Sequence, residues 1–354
     1  MVGLYNFSVN HPALAKVQQV YRRNTVYSVR PSNRSLTRRD RLIAELLVVV
    51  YVAVVAEIAR FSGISYLLFP ELGALAYDLL VRPWGKWASQ PIRLVLTPTL
   101  TAVVGTLVTR YLPFGVWSVL LVVGISILVI ASLRSWIAPA MSAGVLPLVL
   151  GVKSWMYPPG MLATLIVLAT VSVIWRKYHS SRVEPGEWPE DLEDVLESPP
   201  HGKYWIAVLM GFVAMVAGVA QIPGLRLVLF PPIVTIAYEM FGHTETCPWT
   251  KRWVTLPACC FLTALSGLLA FRVAGTGLGL AVCAVATGIF VLRLFDLHMP
   301  PAMAVGLLPA VMIAPTWKFP FAVLAGTLLL TAVFLIYRRL NQRTQKVDSP
   351  LDAT

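Results

Sequence analysis

The chain has 354 residues, 57% of them apolar and 13% charged, with a mean hydropathy of +0.72 and a net charge of +12. A soluble domain carries about twice that share of charge, so a water-soluble globule is excluded and lipid is the expected solvent. The basic excess lies at the ends and in the loops, as on cytoplasmic faces against anionic lipid, which argues against nucleic acid as a partner.

First comes a basic tail, 1–41, with no acid before Asp40. It is expected to be cytoplasmic. Its Arg-rich composition also resembles an organelle transit segment, and no apolar core of a signal peptide precedes residue 42. A first membrane repeat, 42–177, holds apolar stretches near 42–59, 64–80, 94–111, 114–133, 137–152 and 157–175. An acidic, Pro-rich linker, 178–203, is expected on the cytoplasmic side. The second repeat, 204–339, holds stretches near 204–221, 225–241, 253–271, 275–292, 300–315 and 319–337, and a cytoplasmic tail, 340–354, ends the chain. Lipid offers backbone groups no water, so long apolar runs without strand alternation predict helices. The stretches 64–80, 137–152, 225–241 and 300–315 are short and carry Pro or Gly. The predicted fold is an all-α polytopic membrane protein of two tandem parallel repeats, about six apolar helical segments in each.

The repeat is read from matching residues. Phe69-Pro70 returns as Phe230-Pro231, and Ala76-Tyr77-Asp78 as Ala237-Tyr238-Glu239. At a shift of 162, Pro139-Ala140-Met141 returns as Pro301-Ala302-Met303, and Gly144, Pro147, Trp155, Pro158 and Arg176 as Gly306, Pro309, Trp317, Pro320 and Arg338. If all twelve stretches cross, 23 of the 29 Lys and Arg fall on the side of the amino end and 6 on the other. If the four short stretches merely re-enter, the split falls to 16 against 13. The positive-inside rule favours about twelve crossings with both termini inside, in the plasma (inner) membrane.

Short, Pro/Gly-broken helices at matching places in two halves point to a binding site. Proline suits the first turn of a helix, and the residues after it present N–H donors and the positive dipole end to an anion. That reasoning selects Pro139, Ala140 and Met141, Pro300, Pro301 and Ala302, and Pro70, Gly73, Ala74 and Pro231. The competing reading is that these prolines only kink packed helices. His298 and Asp296 precede the Pro-Pro pair, where the first half has Trp136 and Arg134. A histidine there could hold an anion or carry a coupled proton. Arg134 and Asp296 could pair across the axis between halves.

Other polar residues read more quietly. Glu57 and Arg60 sit one turn apart and suit a local ion pair. Tyr77-Asp78 and Tyr238-Glu239 suit helix-end packing and water contact. Glu71 follows Pro70, but its counterpart is the uncharged Pro232, which weakens any anion site centred on it. Gly275, Gly277 and Gly279 lack the Lys and preceding strand of a phosphate loop and suit a tight turn. Four cysteines and five histidines show no ligand spacing, and no nucleophile elbow is present, so neither a metal, a cofactor nor an enzyme activity is expected.

Pro70-x-x-Gly73-Ala74, Gln90-Pro91-Ile92-Arg93 and His298-Met299-Pro300-Pro301-Ala302 resemble the HPP family of integral membrane proteins, named for a His-Pro-Pro motif. The likeness covers about 61–178 and 222–340, so the chain looks like a tandem duplication of that domain. It departs from the family where Ile137-Ala138-Pro139-Ala140 replaces the motif in the first half, where Met299 is inserted in the second, and where Met303 replaces a glycine. Members from cyanobacteria and plastids are linked to nitrite transport. The resemblance therefore implies a transporter or channel for a small inorganic anion, nitrite-like; proton coupling through His298 and a homo-oligomer are separate expectations. Two rival readings are a membrane scaffold or sensor, docking a partner through its basic tail and acidic linker, and an exporter of organic acids.

Overall fold

The computed structural model describes residues 36–180, 196–200, 204–244, 247, 249 and 253–347. The first 35 residues of the basic tail, most of the acidic linker and the last seven residues of the chain lie outside the described residues. Twelve α-helices and no strand are present among those described. They are α1 (Arg38–Ser62), α2 (Glu71–Val81), α3 (Pro91–Tyr111), α4 (Val116–Leu133), α5 (Pro139–Leu150) and α6 (Tyr157–Ser180), then α7 (Trp205–Val219), α8 (Pro232–Gly242), α9 (Thr255–Ala274), α10 (Leu278–Leu294), α11 (Pro301–Leu307) and α12 (Lys318–Val347). Six of them, α1, α3, α4, α6, α9 and α12, are long and apolar enough to cross a membrane. α1 buries Ala44, Val48, Val52, Val55 and Ala59, yet its exposed face carries Leu46, Val50, Val54 and Ile58 at four-residue spacing. A helix apolar all round has lipid, not water, outside.

Local chemistry sets the helix ends. Thr37 Oγ1 accepts from Asp40 N at 3.1 Å and starts α1. Pro91, Pro139, Pro232 and Pro301 stand in the first turns of α3, α5, α8 and α11, where a missing N–H costs nothing. Gly63 and Gly151 end α1 and α5 in the left-handed region, with φ of 70° and 71°. Three of the four short stretches are less helical than their apolar runs suggest. In 64–80 a 3₁₀ turn, Ser65–Leu67, and Pro70 precede the helix. In 225–241 a 3₁₀ turn, Arg226–Leu229, does the same. In 300–315, α11 tightens into the 3₁₀ turn Leu308–Ala310 and stops.

An 11-residue helix such as α2 or α8 is about 16 Å long, roughly half of a 30 Å hydrocarbon core. Side-chain contacts nevertheless place its flanks at opposite ends of the body. At one end, Asp40 faces His179 at 3.8 Å, Asp78 faces His298 at 2.8 Å, and Arg93 donates to the Arg134 carbonyl. Glu197 bonds Arg82 there, and Pro200 lies against Gly242, close to the Phe334 and Tyr337 rings that meet Phe241. At the other end, Glu57 holds Arg60 and accepts from Leu278 N at 2.9 Å, and Arg110 donates to the Lys153 carbonyl. Each short helix therefore completes its passage through non-helical backbone, which protein must shield from lipid. The start of α1, the end of the linker and the late turns of α12 share one end.

The halves interlock. α1 packs on α10 and its counterpart α7 on α4, while α2 packs on α11 and its counterpart α8 on α5. Details recur at the shift of 162. Trp87 donates to the Trp136 carbonyl and Trp249 to that of His298, and Arg110 reaches the Lys153 carbonyl as Arg272 reaches that of Pro315. Arg134 and Asp296 both have φ of 49°.

Candidate functional site

The four short helices form the middle of the protein. Every residue of α8 and α11 is buried, as is all of α2 except its last residue and all of α5 except its last. Pro139, Ala140, Met141, Pro301 and Ala302 lie in this core, with Pro70, Pro231 and Pro300 at the caps of α2, α8 and α11. Gly73 lets α2 approach α11, since a methyl there would meet Leu307 Cδ1 at 2.5 Å, and Ala74 is fully buried beside it.

The donors that the sequence offered to an anion are engaged. Ala140 N bonds Ile137 O and Met141 N bonds Ala138 O, at 3.0 and 2.9 Å; Ala302 N bonds Met299 O and Met303 N bonds Pro300 O, at the same distances. Leu72 and Gly73, and Ile233 and Val234, do likewise. The physical reason is the cap residue. Pro70, Ala138, Pro231 and Pro300 are already in the right-handed helical region, so each helix closes tight three-residue turns at its start. A cradle of free N–H groups is not formed there.

Arg134 and Asp296 are exposed, and no ion pair joins them among the described residues. Each ends the helix of its own half. His298 is placed differently from Trp136. Its Nε2 lies 2.8 Å from Asp78 Oδ1, its ring stacks on Tyr77 at 5.6 Å, and its carbonyl accepts from Trp249. Asp78 Oδ1 also accepts from Arg82 at 3.0 Å, Arg82 bonds Glu197, and Glu197 accepts from Trp87 N at 2.9 Å. Asp78 is 2% exposed and Glu239 3%, which corrects the expectation of water contact at those helix ends. Glu57 and Arg60 do form the local pair expected of them.

Cations line a cavity at each end. A cavity of about 570 Å³ is walled by Arg38, Arg41, Tyr77, Arg293, Asp296 and His298, with Glu45 bridging Arg41 and Arg293. At the opposite end, a cavity of about 230 Å³ is walled by Thr109, Phe114, Leu148, Lys153 and Arg226. The Arg226 guanidinium lies 4.2 Å over the Phe114 ring and donates to the Leu148 carbonyl, while its Nε–H is buried without a partner.

Glu71, the first residue of α2, is 1% exposed, with neither carboxyl oxygen in hydrogen-bond geometry with a partner. Ser142 and Tyr157 are its polar neighbours. Ser142 Oγ lies 2.9 Å from Thr235 Oγ1, Thr235 donates to Ala138 O, and Tyr157 donates to Ala143 O. An ionised carboxylate here would be desolvated at a cost of several kcal/mol. The positive end of α2 returns at most about 2 kcal/mol, so the dipole alone does not offset it. Glu71 is visible in the sequence, but its counterpart Pro232 carries no charge, and Arg226 is hidden in an apolar run that reads as uniformly helical.

An all-helical body with six long apolar spans and lipid-facing apolar surface defines an integral, polytopic membrane protein. Residues 33–185 match the family described as HPP, transmembrane region, a stretch that takes in α1 to α6. No curated protein and no solved structure matches.

Proposed function

We propose that the protein is a transporter of a small inorganic anion, nitrite-like, built from two HPP-type repeats by tandem duplication and set with the start of α1 and the end of α12 on the cytoplasmic side. The observation that carries this reading is the pair of cation-lined cavities at opposite ends of one lipid-embedded body. Positive walls of low dielectric concentrate anions at both mouths. The closed middle favours a carrier over an open pore, because buried α8 and α11 must shift before anything passes between the mouths.

Flux into proteoliposomes tests it, with nitrite, nitrate, bicarbonate, formate and organic acids offered separately. Saturable nitrite uptake above that of protein-free vesicles, reduced by Arg226→Gln, is the expected result. Absence of uptake for every anion would sink the proposal, and uptake of organic acids alone would move the protein to the exporter class.

A further inference from the structure

Among the described residues Glu71 is a buried carboxyl with neither oxygen in hydrogen-bond geometry with a partner, and its surroundings are specific. The Ser142 and Thr235 hydroxyls lie 2.9 Å apart with either able to donate, and Thr235 also reaches the Ala138 carbonyl at 3.2 Å. Tyr157 spends its hydrogen on the Ala143 carbonyl. Neither carboxyl oxygen is in hydrogen-bond geometry with a partner, and the Ser142 hydroxyl and the Glu71 backbone N–H are the donors on hand, with no cation among them to offset an ionised carboxylate. The elements packed on α2 add no charge beside it. α5 and α11 carry no ionisable residue, α6 brings Tyr157, and Tyr51 of α1 donates to the Thr164 carbonyl. The charged residues of α1 and α6 lie toward their ends, and Asp78 on α2 itself is held by Arg82 and His298.

We infer that Glu71 is a proton-binding site, protonated in the arrangement seen, and that its proton crosses with the anion. The inference rests on the transport reading above. At one mouth a hydronium O–H bond breaks as an O–H bond forms on the Glu71 carboxyl, leaving water; at the other that carboxyl O–H breaks and the proton passes to water as hydronium. Ionised Glu71 would draw the Ser142 hydrogen to itself, turning it away from Thr235. The proton is thereby read out at the α5–α8 contact, across the seam between halves. An anion entering a negative interior works against the field, and a proton carried with it cancels that charge.

The test uses the full chain in liposomes. The infrared C=O stretch of a protonated carboxyl, present in wild type and missing from the difference with Glu71→Gln, reports the proton without any substrate. Nitrite uptake with acid outside, followed together with internal pH, reports the coupling. Wild type is expected to show the band, accelerated uptake and proton influx. Glu71→Gln, judged folded by an unchanged elution profile, should lose all three, and Glu71→Asp should restore band and influx. Absence of the band in wild type overturns the inference whatever the fluxes. If nitrite moves but Glu71→Gln keeps its proton influx, the coupling is overturned and the transport reading stands. If no anion moves, the transport reading and the coupling both fall, and the band alone decides the protonation.

Discussion

Gly105 of α3 and Gly144 of α5 meet backbone to backbone: a methyl on Gly105 would lie 2.0 Å from the Gly144 carbonyl oxygen. Gly267 and Gly306 repeat the contact at the same 2.0 Å in the second half. Neither side of such a contact is a flexible side chain, so the helices themselves must part. Gly105→Ala and Gly267→Ala should each cost about 1–3 kcal/mol or more by overpacking. Gly211→Ala, with nothing within 4 Å of the added methyl, should be neutral or slightly stabilising. Thermal unfolding of the three variants in detergent checks the contrast.

The buried carboxylate of Asp78 is held from both halves, by Arg82 and by His298. Asp78→Ala strands those partners and should destabilise by about 3 kcal/mol, as removal of one member of a buried pair does. His298→Ala leaves Arg82 in place and should cost less. Equal losses from the two variants in denaturation midpoint would show that Asp78 does not depend on Arg82.

Trp87 and Trp249 make equivalent hydrogen bonds, to Trp136 and His298. Replacing either by Phe should remove about 1 kcal/mol. The double variant should be additive if the sites are independent. A double-mutant cycle of unfolding free energies measures this.

Arg226 combines charge with a planar contact on Phe114. Arg226→Lys keeps the charge but loses the stacking and the fork toward Leu148, so it should recover only part of the uptake lost in Arg226→Gln. Kinetics of nitrite uptake at low and high ionic strength check it, with the wild-type advantage shrinking as salt screens the mouth.

Most of the helices are legible because lipid demands long apolar runs. What was not legible depends on contacts between halves. Asp78 reads as a helix-end acid until His298, 220 residues away, closes on it. The donors after the four prolines read as free because sequence does not show that Pro70, Ala138, Pro231 and Pro300 are already helical. Glu71 was dismissed on a comparison with Pro232, yet the two positions have diverged. Ser142, itself in contact with Thr235, stands beside the first, where the counterparts Ala304 and Ala74 carry no hydroxyl.

The account depends most on the two cation-lined mouths opening on opposite sides of one membrane. Labelling with an impermeant thiol reagent decides it, on single cysteines at Arg134→Cys, Asp296→Cys and Lys153→Cys, after the exposed Cys283 is changed to Ser. In sealed, uniformly oriented vesicles, 134 and 296 should react from one side and 153 only from the other. Reaction of 134 and 296 from different sides, or of all three from one, would contradict it.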